Sequence, residues 1–156
     1  MSSSHRQLLV VAAVTIIADL AAKAAAVRWL TTPVDIGVII LRATENSGVA
    51  FGIGADQPVA IIAAVTGVAV IAISVAAWRG HMGGPVGAGL VVGGGIANLT
   101  DRMVGGSVVD LFDLGWWPVF NLADVALTTG VALIVFTSLR DARTVTDEPV
   151  EESERV

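Results

Sequence analysis

The chain reads as an all-α integral membrane protein, with four transmembrane helices and a small β-structured extracytoplasmic loop between helices 1 and 2. Three observations predict this. Of 156 residues, 54% are hydrophobic and 15% charged, and the mean hydropathy of +0.79 lies far outside soluble globular usage. Four apolar segments, Leu8 to Val27, Val59 to Trp78, Pro85 to Val104 and Val119 to Leu139, each approach the roughly 20 residues a helix needs to cross the hydrocarbon core. The tryptophans Trp29, Trp78, Trp116 and Trp117 fall near the ends of these segments, where an amphipathic indole prefers headgroup depth.

The first segment carries Asp19 and Lys23 inside one continuous apolar run, which reads as a retained helix rather than a cleavable signal peptide. After it comes the longest connection, holding "VDIGVIILRATENSGVAFGIG". Its Val/Ile-rich start predicts a short strand or two, and its glycine-punctuated end predicts tight turns. The connection "RGHMGG" is a short turn in which His81 is a polar loop residue. The third segment opens with "GGPVGAGLVVGGG", small residues that let helix backbones approach closely in lipid. Phosphate binding is a poor account of them, since no strand precedes and no lysine follows. A loop over 105–118 leads to the fourth segment. The last stretch, "DARTVTDEPVEESERV" over 141–156, reads as a disordered acidic tail appended to a membrane domain spanning 1–140.

An even number of spans puts both termini on one side. Arg6, Arg79, Arg140 and Arg143 flank the spans there, against Arg28, Arg42 and Arg102 on the other side, a bias toward cytoplasmic termini. The net charge of −5 is concentrated in the tail, and no basic patch, dinucleotide fingerprint or P-loop marks a nucleic-acid or nucleotide partner. With no cysteine, thiol nucleophiles and thiolate metal sites are excluded.

Ionisable groups inside spans cost on the order of 2.5 to 3.5 kcal/mol each, so they are candidates for function. Asp19 and Lys23 stand at i, i+4 with the acid N-terminal, the favourable orientation for an ion pair on one helix face. Asn98, Asp101 and Arg102 share one face of the third segment, and an aspartate beside an arginine is expected to stay ionised in a supporting network. Asn121 and Asp124 repeat the Asn-x-x-Asp spacing at the start of the fourth segment, and the 105–118 loop can bring Asp110 beside Asp124. Two carboxylates brought together at one membrane depth cannot both ionise easily. They share a proton, and can hold and activate a water that hydrolyses an amide without metal or protein nucleophile. The same aspartates suit a proton- or ion-coupled transporter, or a phosphotransferase holding Mg²⁺ through Asp101, Asp110, Asp113 and Asp124.

Five stretches in order, "DLAAK", "NSGVAFG", "GGGIANLTDR", "VVDLFD" and "FNLAD", resemble the lipoprotein signal peptidases, the type II signal peptidases of bacteria. The match runs to about residue 140. It departs from the common pattern at Leu20, where a glutamine is common, at Val49 and at Ala97, none of which removes a charged group. The resemblance implies a four-helix peptidase of the bacterial cytoplasmic (inner) membrane, without cofactor or metal. Such a peptidase cuts diacylglyceryl-modified prolipoproteins just before the lipid-bearing cysteine. It implies Asp110 and Asp124 as the catalytic aspartates, with Asp19, Lys23, Asn46, Gly48, Asn98, Asp101, Arg102 and Asn121 as substrate-binding or supporting residues. Asp113 matches a frequent acidic position with no catalytic role. A monomer facing membrane lipid, with its active site toward the extracytoplasmic side, is the expected arrangement.

Overall fold

The computed structural model describes residues 1–48 and 57–146, with side chains to residue 140. The glycine turns expected over 49–56 and the tail residues 147–156 lie outside the described residues. In chain order the elements are α1 (Ser3–Trp29), β1 (Val34–Asp35), β2 (Ile40–Asn46), α2 (Val59–Trp78), α3 (Pro85–Gly105), β3 (Val108–Asp113) and α4 (Leu122–Thr146).

Among the described residues, α1, α2 and α4 are long and apolar enough to cross a membrane. The third helix has the length but is diluted by glycines, Asn98, Asp101 and Arg102. It is instead the centre of the molecule, packed against α1, α2 and α4. Its glycines explain how. A Cβ on Gly89 or Gly93 would lie 2.8 Å from the carbonyl oxygen of Leu8 or Ala12 in α1, and one on Gly94 would lie 2.6 Å from that of Ala123 in α4. Backbone-to-backbone approach of this kind replaces the hydrophobic drive that lipid removes between helices. By contrast α2 buries little beyond Ile62, Ala63 and Ala77, and turns Ile61, Val65, Val68 and Ile71 outward, as a lipid-facing helix should. Gly94→Ala is therefore expected to cost about 1 to 3 kcal/mol through overpacking against rigid backbone. Gly105→Ala, where a Cβ meets nothing within 4 Å, should stay within ~0.5 kcal/mol. Thermal melts of the two variants in detergent check this.

At one end of the bundle, the start of α1 meets the end of α2. The His5 ring stacks on Trp78 at 4.2 Å, and its Nε2 lies 3.0 Å from the Trp78 carbonyl oxygen. Beside them Thr137 of α4 donates to the carbonyl of Gly83, just before α3. Sequential helices are thus antiparallel. The opposite end carries an antiparallel three-stranded sheet in the order β1-β2-β3.

The first connection supplies the two expected strands, but the sheet is not confined to it. Gly106, at φ +77, stops α3 in the left-handed conformation, and the chain turns directly into β3. Thr44 pairs with Asp110 and Asn46 with Val108, and an extra residue in β2 between Leu41 and Thr44 bulges the ladder beside them. The fourth helix starts at Leu122 rather than Val119, because Phe120 is held in a bridge to Phe112 by backbone bonds of 2.8 and 3.1 Å.

Candidate active site

Five elements, α1, β2, α3, β3 and the start of α4, bring the polar residues together. Asn121 caps α4: its Oδ1 accepts from the Asp124 backbone N–H at 2.9 Å, while Asp124 Oδ2 accepts from the Asn121 N–H at 3.2 Å. This reciprocal box satisfies two N–H groups and pins the Asp124 side chain over the helix start. The acid also lies at the positive end of the helix dipole. Asp19 of α1, fully buried, accepts from the Ala123 N–H at 2.8 Å and so caps the same turn from another helix.

Asp110 arrives on β3, on the face it shares with Val108, and receives one amide on each oxygen: Asn121 Nδ2 at 2.7 Å on Oδ1 and Asn46 Nδ2 at 3.0 Å on Oδ2. Asn46 sits diagonally across the β2–β3 ladder, which is why it reaches. The other oxygen of Asp124, Oδ1, accepts from Asn98 Nδ2 at 2.9 Å. Both carboxylates line one cavity of about 530 Å³ with Asn46, Asn98, Arg102 and Phe120. A second, more apolar cavity of about 380 Å³ adjoins it and shares Trp117, Phe120, Asp124 and Thr128. Burial pushes the Asp110 carboxyl above the usual carboxylate range, and the nearby Asp124 adds to the rise. The hydrogen bonds from Asn46 and Asn121 and the charge of Lys23 oppose it.

Beneath the two acids lies a buried ionic layer. Lys23 reaches Asp19 at 2.6 Å, Asp101 at 2.8 Å and Asn98 Oδ1 at 2.8 Å, so the expected Asp19–Lys23 pair is opened into a hub. The expected Asp101–Arg102 partnership does not form among the described residues. Asp101 faces Lys23 and accepts from the Val109 N–H at 3.3 Å, whereas Arg102 donates to the Gly48 carbonyl at 2.7 Å and to the Asn98 carbonyl at 3.3 Å. Adjacent helix positions diverge by about 100°, and each side chain takes the partner on its own side. Asp113 stays outside the cluster, paired with Arg42 at 3.0 Å.

A family model described as signal peptidase (SPase) II matches residues 11–140. The chain belongs to the signal peptidase II family. The lipoprotein signal peptidase of Mycolicibacterium smegmatis is 38% identical over 148 residues, covering 86% of this chain and 61% of that protein. That of Pelotomaculum thermopropionicum is 35% identical over 142 residues, covering 86% of this chain and 93% of the relative. Two solved bacterial membrane enzymes share the fold. One, determined in meso at 2.3 Å, has a TM-score of 0.74 at 23% identity, over 96% of this chain and 93% of that one. The other, at 1.9 Å, has a TM-score of 0.72 at 24% identity, over 86% and 93%.

This signal peptidase II homologue is thus an integral membrane protein, and the family match leaves the transporter reading without support. The family motifs meet in space. "DLAAK", "ANLTDR", "VVD" and "FNLAD" contribute Asp19, Lys23, Asn98, Asp101, Asp110, Asn121 and Asp124 to one continuous network, joined by Asn46 from β2. Thr44 and Thr128 also line the cavity, and neither stands out in the sequence as a candidate. The stretch read as a loop over 105–118 holds β3, Val108–Asp113, whose Val108, Val109 and Phe112 favour a strand.

Proposed function

We propose that the protein is a membrane aspartyl endopeptidase that removes the signal peptide from prolipoproteins, cutting before the diacylglyceryl-modified cysteine, with Asp110 and Asp124 as catalytic residues. The observation that carries this reading is the shared cavity, in which two carboxylates on different elements are each oriented by side-chain amides. One ionised carboxylate takes a proton from a water whose oxygen attacks the scissile carbonyl carbon. The protonated partner supplies the proton that lets the amine leave as the C–N bond breaks. Asn46, Asn98 and Asn121 position the pair, and Arg102 tethers the outer loop at Gly48.

In this reading α3 also spans the membrane, making four spans in all, its polar residues turned inward, with both termini cytoplasmic and the sheet on the extracytoplasmic face of the inner membrane. Residues 1–140 form the peptidase domain and 141–156 an acidic tail. The chain works as a monomer surrounded by lipid and needs no cofactor. Substrate enters sideways from the bilayer, peptide along β2 and acyl chains toward the apolar cavity beside Trp117. Purified enzyme offered a lipidated precursor peptide and its unlipidated twin is expected to cut only the first. Equal cleavage of both would count against the lipoprotein assignment.

Asn46→Ala adds a pH test. The lost hydrogen bond held the Asp110 carboxyl down, so its pKa rises further and the pair keeps its shared proton to higher pH. The alkaline limb of the kcat/KM profile should move upward. A limb that stays in place or moves downward would contradict the assignment of Asp110 to that limb.

A further inference from the structure

We propose that Lys23 is a positioning residue for the two aspartates: its ammonium fixes the amide of Asn98, and through Asn98 that of Asn121, so that both amides aim their NH₂ groups at the carboxylates. The inference rests on the aspartyl reading above and adds to it a residue that contacts neither acid. An amide is nearly symmetric in shape, so its partners decide which end faces where. Lys23 Nζ, 2.8 Å from Asn98 Oδ1, has donors and no acceptor, and tolerates only the carbonyl end of Asn98. The NH₂ end is thereby turned to Asp124 Oδ1 at 2.9 Å.

The same Asn98 oxygen accepts from Asn121 Nδ2 at 3.2 Å, and that nitrogen also reaches Asp110 Oδ1 at 2.7 Å. Asn121 is left with its oxygen toward the Asp124 backbone N–H. One cation thus sets the polarity of two hydrogen-bond chains that end on two different carboxylates. Lys23 is itself buried, 3% exposed, with its other two donors on Asp19 and Asp101. The two anions already more than neutralise it. The third donor is the one directed at the catalytic pair.

Neutralisation and orientation separate in a background where both anions are already amides. In the Asp19→Asn, Asp101→Asn chain, Lys23→Gln and Lys23→Met are of similar length and equally uncharged, but only the glutamine can donate to Asn98. With a lipidated precursor peptide in detergent, and folding confirmed by thermal melt, the Gln chain is expected to show a kcat about tenfold or more above the Met chain, with KM within about twofold. Equal rates in the two, including no rate in either, overturn the proposal, since a merely neutralising lysine leaves nothing for the donor to restore. Should neither chain fold, Lys23→Arg in the otherwise unaltered protein replaces them. It keeps both anions paired but offers a longer, planar head, so kcat should fall about tenfold at unchanged KM, and an unchanged kcat overturns the proposal. Asp124→Asn runs alongside: if it cleaves, the aspartyl reading itself has failed, whatever happens at position 23.

Discussion

Asp110→Asn and Asp124→Asn are each expected to lower precursor cleavage by on the order of 10³-fold or more while leaving the protein folded. The change is nearly isosteric, and the one oxygen of an asparagine can still accept one of the two bonds that each carboxylate receives, from Asn46 and Asn121 at Asp110 and from Asn98 and the Asn121 N–H at Asp124. What is lost is the shared proton. With one member unable to ionise or to protonate, water activation and leaving-group protonation can no longer be divided between two acids. Because the pair acts as a unit, the double variant should be hardly slower than either single one. The measurement is single-turnover cleavage of a lipidated precursor, with and without a chelator. Substantial cleavage by Asp124→Asn, or loss of wild-type activity on chelation alone, would sink the mechanism.

The second large effect is on stability. Asp19→Ala removes a fully buried carboxylate that holds Lys23 at 2.6 Å and caps the first turn of α4 through the Ala123 N–H at 2.8 Å. Deleting one partner of a buried pair strands the other charge, here partly relieved because Lys23 keeps Asp101 and Asn98. The cost should be about 3 kcal/mol, the low end for such deletions, and the thermal midpoint should fall by roughly 6 to 12 °C. Asp19→Asn, which can still accept from Ala123, should lose less than half as much. If the two substitutions melt together, the charge and not the cap is what Asp19 provides.

Much of this protein is determined by its sequence alone. In lipid a backbone must satisfy its own polar groups, so long apolar runs can only be helices, and their boundaries follow from hydropathy and from where tryptophan sits. That is why Val59–Trp78 is found with both ends as read, and Pro85–Gly105 within one residue. The candidate site residues were also legible, because a polar group inside an apolar run is too costly to be incidental, and Asp19, Lys23, Asn98 and Asp124 stand out for that reason. What the sequence left open was who partners whom. Asp101 and Arg102 are neighbours in the chain and part in space, Lys23 binds two acids where spacing suggested one, and β3 is a strand because β2 offers it an edge. Such choices depend on distances between elements far apart in sequence. Tertiary packing sets those distances, above all the close approach that the glycines of α3 allow toward α1 and α4. Spacing along one helix shows which residues share a face, but what lies opposite that face is decided when the bundle closes.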